Sequence, residues 1–184
     1  MHYLVSHIED LSAESDKAFI ALAALHPLRL EEVLGLQWQD IDFRTHTIYI
    51  RRAVTHPNRN LGLVGEPKTE ASKRPIAMVR QIEKYLSPGS PNQFVLGGDK
   101  PLSYTQVRRM CERIQREIHF PQSVTPRRFR TTVLTDIYDA TKDIKSAQAA
   151  AGHTTAAMTL KYYVKGRDTG QDTAAPIAKA YGLD

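Results

Sequence analysis

Apolar positions recur with helical spacing in several stretches of this chain and alternate in one. Phe19, Ile20, Leu22, Ala23 and Leu25 form a broad apolar face, which predicts a helix. Ser12 is placed to cap that helix, Glu14 and Asp16 fall in its first turn, and His26-Pro27 breaks it. A second helix is expected through Leu30, Val33, Leu34 and Leu36, followed by a turn at Asp40-Ile41-Asp42-Phe43. From Thr45 to Val54 the period changes to two, with Ile48 and Ile50 on one side and Tyr49 and Arg51 on the other, which predicts a strand. HPNRNLGLVGEP (residues 56–67) reads as a loop, and Lys68 to Met78 as returning strand, with Pro75 confining part of it to a sheet edge.

Helical spacing resumes from Met78 to Leu86 and stops at Ser87-Pro88-Gly89; Phe94-Val95-Leu96 is a short extended piece. Ser103 caps a longer helix whose stripe is Val107, Met110 or Cys111, Ile114 and Ile118, with Arg108, Arg109, Arg113 and Arg116 on its remaining surface. Thr125-Pro126 opens another, with Phe129, Val133, Leu134 and Ile137 apolar. Asp143 starts a helix that Gly152 ends in a left-handed cap. A short helix from Thr154 or Thr155 runs to Tyr162-Tyr163, before a polar tail. The pattern predicts a mostly α-helical α+β domain with a small three-stranded antiparallel sheet at one edge.

At 184 residues the chain is long enough to bury one real core. No apolar run approaches the roughly 20 residues of a membrane span, and the N-terminus lacks a signal-peptide pattern. A single cysteine, Cys111, excludes an internal disulfide and a cysteine-based zinc site. Cytoplasmic residence, away from any membrane, is the simplest expectation. The net charge is +5, but it is unevenly spread: −5 over residues 1–50, +5 over 51–107, +5 over 108–130 and neutral thereafter. So basic a middle suits a polyanion, although a solvated basic face accounts for charge alone equally well.

Four groups could act on a phosphate. Arg29-x-x-Glu32 opens a helix and offers a guanidinium fork with a carboxylate one turn on to orient it; a surface pair is the plain alternative. Lys68-Thr69-x-x-Ser72-x-Arg74 puts a lysine at a hairpin tip, where it is either a proton donor or a solvated turn residue. Arg127-x-x-Arg130 shares one face at a helix start, where free N–H groups favour an anion. His153 sits at a helix–helix corner with the Tyr162 phenol nine positions on, an arrangement an ordinary corner also produces.

Taken together, these residues resemble the tyrosine recombinases, the phage-integrase family. The family's catalytic domain shows R-x-x-E-x-x-x-L, then K-T-x-x-S-x-R, then H-x-x-R, then G-H and a tyrosine nine residues later. Arg29, Glu32 and Leu36 match the first, Lys68, Thr69, Ser72 and Arg74 the second, Arg130 the third, and Gly152, His153 and Tyr162 the last. The match spans residues 15–163. It departs at His26-Pro27, near which the family often has Thr-Gly, and at Arg127, which stands where the family has the histidine of H-x-x-R.

The resemblance implies a tyrosine-recombinase-like catalytic domain at residues 1–164, without the family's N-terminal core-binding domain, and a tail at 165–184 suited to docking on a neighbouring protomer. It implies site-specific recombination of double-stranded DNA, as an integrase of a mobile element, with the full-length protein assembling as a tetramer on DNA. Tyr162 would form a 3′-phosphotyrosyl bond, Arg29 and Arg130 would neutralise the non-bridging oxygens, Lys68 would protonate the leaving 5′-oxygen, and His153 would bond the phosphate. Glu32 supports; Arg127 is expected as a further cation at the phosphate. Arg74, Arg108, Arg109 and Arg128 are expected along the DNA backbone. No cofactor and no metal is called for, since arginines supply the charge. A type IB topoisomerase-like relaxing enzyme, or a DNA-binding module without catalysis, are the competing readings.

Overall fold

The computed structural model describes residues 2–66 and 72–152. Helix α1 (His2–Ser6) and a 3-10 turn at Ile8–Asp10 lead into α2 (Glu14–Leu25), and α3 (Leu30–Gly35) follows the His26-Pro27 break. Strands β1 (Ile41–Asp42), β2 (Thr47–Ile50), β3 (Ala53–Asn58), β4 (Leu61–Gly65) and β5 (Arg74–Ala77) come next. Three helices close the described chain: α4 (Tyr104–Glu117), α5 (Pro126–Thr141) and α6 (Ile144–Ala151).

Helix α2 is the centre of the core. Phe19, Ile20, Ala21, Leu22, Ala23 and Ala24 are all buried, so the helix is apolar nearly all round, as a helix packed on several sides must be. It packs against α1, α3, α5 and a 3-10 turn at Arg80–Tyr85. Val107, Met110, Cys111, Ile114 and Ile118 bring α4 onto the same core, and Phe129 of α5 lies 6.3 Å ring to ring from Phe19.

The sheet is three-stranded and antiparallel, in the order β1-β2-β5, with Ile48 opposite Ile41 and Ile76. Ile48 and Ile50 face inward, as their alternation requires, and Pro75 sits in edge strand β5. The third strand is a correction: β1 is formed by Ile41-Asp42, which the sequence suggests is a turn. Turns flank β1 on both sides: a 3-10 turn at Trp38–Asp40, where the Asp40 carboxylate accepts the Gln37 N–H at 2.9 Å, and a turn at 43–46, where Asp42 Oδ1 accepts the Arg44 N–H at 2.9 Å.

Other boundaries shift for identifiable reasons. The expected strand from Thr45 to Val54 is interrupted at Arg51-Arg52, after which the chain leaves for a second sheet. Residues 56–65, expected as loop, belong to the β3–β4 hairpin, whose turn is fastened by Asn60 N–H donating to Asn58 Oδ1 at 3.0 Å. Pro57 is accommodated because the register shifts between Thr55 and Asn58. The expected helix at 78–86 is a 3-10 turn at Arg80–Tyr85. Helix α2 is capped at Ala13, because the Ser12 N–H and hydroxyl both donate to Glu117 at the far end of α4, each at 2.9 Å. α3 passes close to β3 at Gly35, where a Cβ would stand 2.8 Å from the Arg52 carbonyl oxygen.

The helix starts at Ser103, Pro126 and Asp143 follow the sequence. Ser103 makes a capping box with Gln106, Pro126 takes the first position of α5, and Asp143 accepts from the N–H groups of Lys145 and Ser146. Gly152 closes α6 at φ +61°. No described helix is long and apolar enough to cross a membrane.

Candidate active site

The turn between α2 and α3, the edge strand β5, the second turn of α5 and the end of α6 meet around one carboxylate. Glu32, third residue of α3, is 2% exposed and is reached by three arginines. Its Oε1 accepts from Arg29 Nη1 at 2.7 Å, while its Oε2 accepts Arg29's backbone N–H at 2.8 Å. Arg74 adds a two-pronged approach, Nη1 to Oε1 and Nη2 to Oε2, both at 3.2 Å. Arg130 Nη1 stands 3.8 Å from Oε2.

Such a carboxylate stays ionised. Burial pushes its pKa up, but hydrogen bonding and charge from Arg74, followed by the bonds from Arg29, outweigh burial and hold it below the ordinary glutamate value. Three guanidinium groups against one carboxylate leave a local excess of two positive charges, which favours a further anion at the open side.

Arg130 is aimed by backbone carbonyls. Its Nη1 donates to the Pro27 oxygen at 2.5 Å and its Nη2 to the Ala151 oxygen at 2.7 Å. The break at His26-Pro27 therefore supplies an acceptor for Arg130. His26 is itself fully buried: its Nε2 accepts the Val79 N–H at 3.1 Å, which assigns the proton to Nδ1, 3.3 Å from the Leu22 oxygen. Burial, opposed only weakly by backbone hydrogen bonding, brings its pKa down to about 4, so the ring is neutral.

Arg29 faces outward, with its side chain 33% exposed. It shares the wall of a hollow of about 480 Å³ with Leu28, Tyr104, Arg108, Arg127 and Arg130. Cys111 also lines it, its thiol pushed up to about 12 by burial and by Asp16. Arg127 is exposed at the start of α5 and lines a second, shallower hollow with Arg128. Arg108 and Arg109 are exposed on α4, and Arg108 Nε lies 3.7 Å from Glu112. Arg113 has a different place: its Nε donates at 2.6 Å to the buried Asp16 and fixes α4 to α2.

The structure thus brings together Arg29, Glu32, Arg74 and Arg130, with Arg127 on the same hollow. Lys68, His153 and Tyr162 lie outside the described residues. Sequence reasoning missed how Arg74 is used. Its motif was visible, but nothing in the spacing indicates that β5 turns the guanidinium towards α3. Among the described residues no group of His, Cys, Asp and Glu side chains is arranged to hold a metal ion.

The phage integrase family profile matches residues 1–169. A tyrosine recombinase XerC of Thermodesulfovibrio yellowstonii is 25% identical over 156 residues, 84% of this chain and 51% of the relative. A tyrosine recombinase XerS of Streptococcus sanguinis is 26% identical over 154 residues, 81% of this chain and 41% of that protein. The chain spans about half the length of the curated relatives it matches. Among solved structures, the Tn1549 transposon integrase in complex with circular intermediate DNA superposes with a TM-score of 0.75 at 21% identity, covering 97% of this chain and 64% of that one. XerA recombinase superposes at 0.67 and 18% identity, covering 99% and 61%. These structural likenesses speak for the fold.

Proposed function

The chain belongs to the phage integrase family, and from that premise we propose that it carries the strand-cleaving site of a site-specific DNA recombinase. The observation that carries the reading is the cluster of Arg29, Arg74 and Arg130 on buried Glu32, with Arg29 opening into a hollow that Arg108, Arg127 and Arg130 also line. A phosphodiester presented there meets two or more guanidinium groups held by the fold before it arrives, which is electrostatic preorganisation.

In this reading the Tyr162 hydroxyl attacks the scissile phosphorus, its proton passes to water or to a phosphate oxygen, and a 3′-phosphotyrosyl ester forms. The P–O5′ bond breaks, and Lys68 protonates the departing 5′-oxygen. Arg29 and Arg130 bind the non-bridging oxygens as charge grows on them, with His153 bonding the same phosphate. The ester keeps the bond energy, so a 5′-hydroxyl of a partner strand reverses the step and completes exchange. Double-stranded DNA is the substrate; the likeness to the tyrosine recombinases XerC and XerS, and to an integrase solved with circular intermediate DNA, supports that assignment. Tetrameric assembly, with residues 165–184 docking between protomers, and cytoplasmic residence belong to the same proposal.

The test is a nicked suicide substrate that traps the covalent intermediate, followed by peptide mapping. A stable protein–DNA adduct at Tyr162 supports the reading. DNA binding without any adduct would make the chain a binding module, and relaxation of any supercoiled plasmid without exchange between defined sites would favour the topoisomerase-like alternative.

A further inference from the structure

We infer that Arg74 is a positioning residue for the reaction, acting through Glu32 and the end of α6. The inference rests on the functional reading above. Arg74 opens β5, six positions after Lys68 in sequence, and its side chain reaches three separate parts of the site. Nη1 and Nη2 fork onto Glu32 at 3.2 Å each, Nη1 also donates to the Ser72 oxygen at 3.0 Å, and Nε reaches the Ala150 oxygen at 3.4 Å. Its side chain is only 9% exposed, against 33% for Arg29, so a phosphate has little access to it.

The contact with α6 is tight. Gly152 has φ +61°, and a Cβ built on it would stand 2.9 Å from Arg74 Nη1 and 3.0 Å from its Cδ and Cζ. The Arg74 side chain therefore packs closely against Gly152, with no room for a side chain there. On its other side it holds Glu32, which in turn holds Arg29 at 2.7 Å and lies 3.8 Å from Arg130. One side chain thus ties β5 to α3, beside Arg29, and to the end of α6. A planar fork suits this, because it bonds a carboxylate with two donors while a third N–H remains for a carbonyl. Lysine carries the charge but cannot make the fork.

The charged groups facing Glu32 are Arg29, Arg74 and Arg130, from α3, β5 and α5. Burial pushes Glu32's pKa up, and removing Arg74 takes away the strongest hydrogen bonding and charge that hold it down, so Glu32 protonates at higher pH in the variant. The fall in activity on the acid side then begins earlier.

The experiment compares wild type, Arg74→Ala, Arg74→Lys, Glu32→Gln and the Glu32→Gln/Arg74→Ala double variant by single-turnover cleavage of a nicked suicide substrate at saturating DNA, across pH. Expected are a loss of at least 10-fold in Arg74→Ala, partial recovery in Arg74→Lys and an acid limb displaced to higher pH in Arg74→Ala. DNA affinity and its salt slope should stay within a factor of two of wild type. The double variant should cleave about as slowly as Glu32→Gln alone, since both substitutions break one linkage. If Arg74→Ala cleaves at the wild-type rate but binds more weakly with a salt slope smaller by about one, Arg74 is a phosphate contact and the inference is overturned. Independent, multiplicative losses would overturn it too, and Arg74→Lys supplies the same comparison if the alanine variant does not fold. Absence of any adduct from wild-type protein would overturn the functional reading first, and this inference with it.

Discussion

Glu32 grips Arg29 twice: one carboxylate oxygen takes the guanidinium at 2.7 Å, and the other takes the backbone N–H of the same residue at 2.8 Å. A residue one helical turn into α3 thereby fixes both the start of the helix and the direction of the arginine that precedes it. The arrangement puts a carboxylate amid the cations of the proposed phosphate site, and the charge of two further arginines offsets it.

Glu32→Gln should therefore destabilise the fold as well as slow the chemistry. An amide keeps the shape but leaves Arg29, Arg74 and Arg130 facing no carboxylate in a largely buried setting. Breaking one side of a buried ion pair costs about 3–5 kcal/mol, and the retained amide oxygen places this case at the lower end. Urea denaturation at pH 7 measures it. A change below about 1 kcal/mol would mean the arginines are compensated elsewhere.

The buried His26 predicts an acid-labile fold. Its pKa is about 4 in the folded chain against the ordinary 6.5. Between those values the unfolded chain binds a proton that the folded chain refuses, so stability rises with pH there. The contribution is complete above pH 6.5 and is lost as pH falls towards 4. It amounts to roughly 3 kcal/mol at its limit. Protonation also forces Nε2 to give up the Val79 N–H. Denaturant midpoints between pH 7 and 4 should fall more steeply in wild type than in His26→Gln; equal slopes would assign the acid sensitivity to other groups.

Much of this was legible from the chain, for reasons tied to particular residues. Thr125-Pro126 and the stripe Phe129, Val133, Leu134 predict α5 correctly because the start signal and period agree, and Phe129, Val133 and Leu134 are buried. Arg29, Glu32 and Arg130 are legible as a group through their ordered spacing, and they do converge. The β3–β4 hairpin was not legible, because Pro57 reads as a strand breaker unless a register shift absorbs it. Arg74 is expected along the DNA backbone, yet its side chain is turned inward onto Glu32, because spacing along a strand shows which residues share a face and says nothing of what lies across it. The partnership of Arg113 with buried Asp16 is hidden in the same way, its two residues standing 97 positions apart.

Tyr162 is expected as the nucleophile, and Tyr163 is not. The nine-residue spacing from His153 carries this, and neighbouring positions on a helix point about 100° apart. Tyr162→Phe should bind DNA with wild-type affinity and form no adduct, whereas Tyr163→Phe should still form one. Trapping on a suicide substrate checks both; an adduct that survives in Tyr162→Phe and vanishes in Tyr163→Phe would move the assignment by one residue.

The last prediction concerns Arg127, where the chain departs from the family's histidine. Arg127 is exposed at the start of α5 and lines the hollow that Arg29 and Arg130 share. Arginine offers donors only and keeps its proton, so it cannot accept one from the attacking phenol as a histidine can. It can stabilise charge on a phosphate oxygen and, as a nearby cation, favour the phenolate. Arg127→Ala should therefore reduce single-turnover cleavage by on the order of 10²-fold, the usual scale for losing one oxyanion donor. Arg127→His should stay active, with a rate that gains a new dependence on pH near the ordinary histidine range, about 6.5. The decisive measurement is the rate at saturating DNA. If Arg127→Ala cleaves at the wild-type rate once bound and loses only affinity, Arg127 touches the DNA backbone away from the scissile phosphate, and Arg29 and Arg130 supply the cationic stabilisation without it.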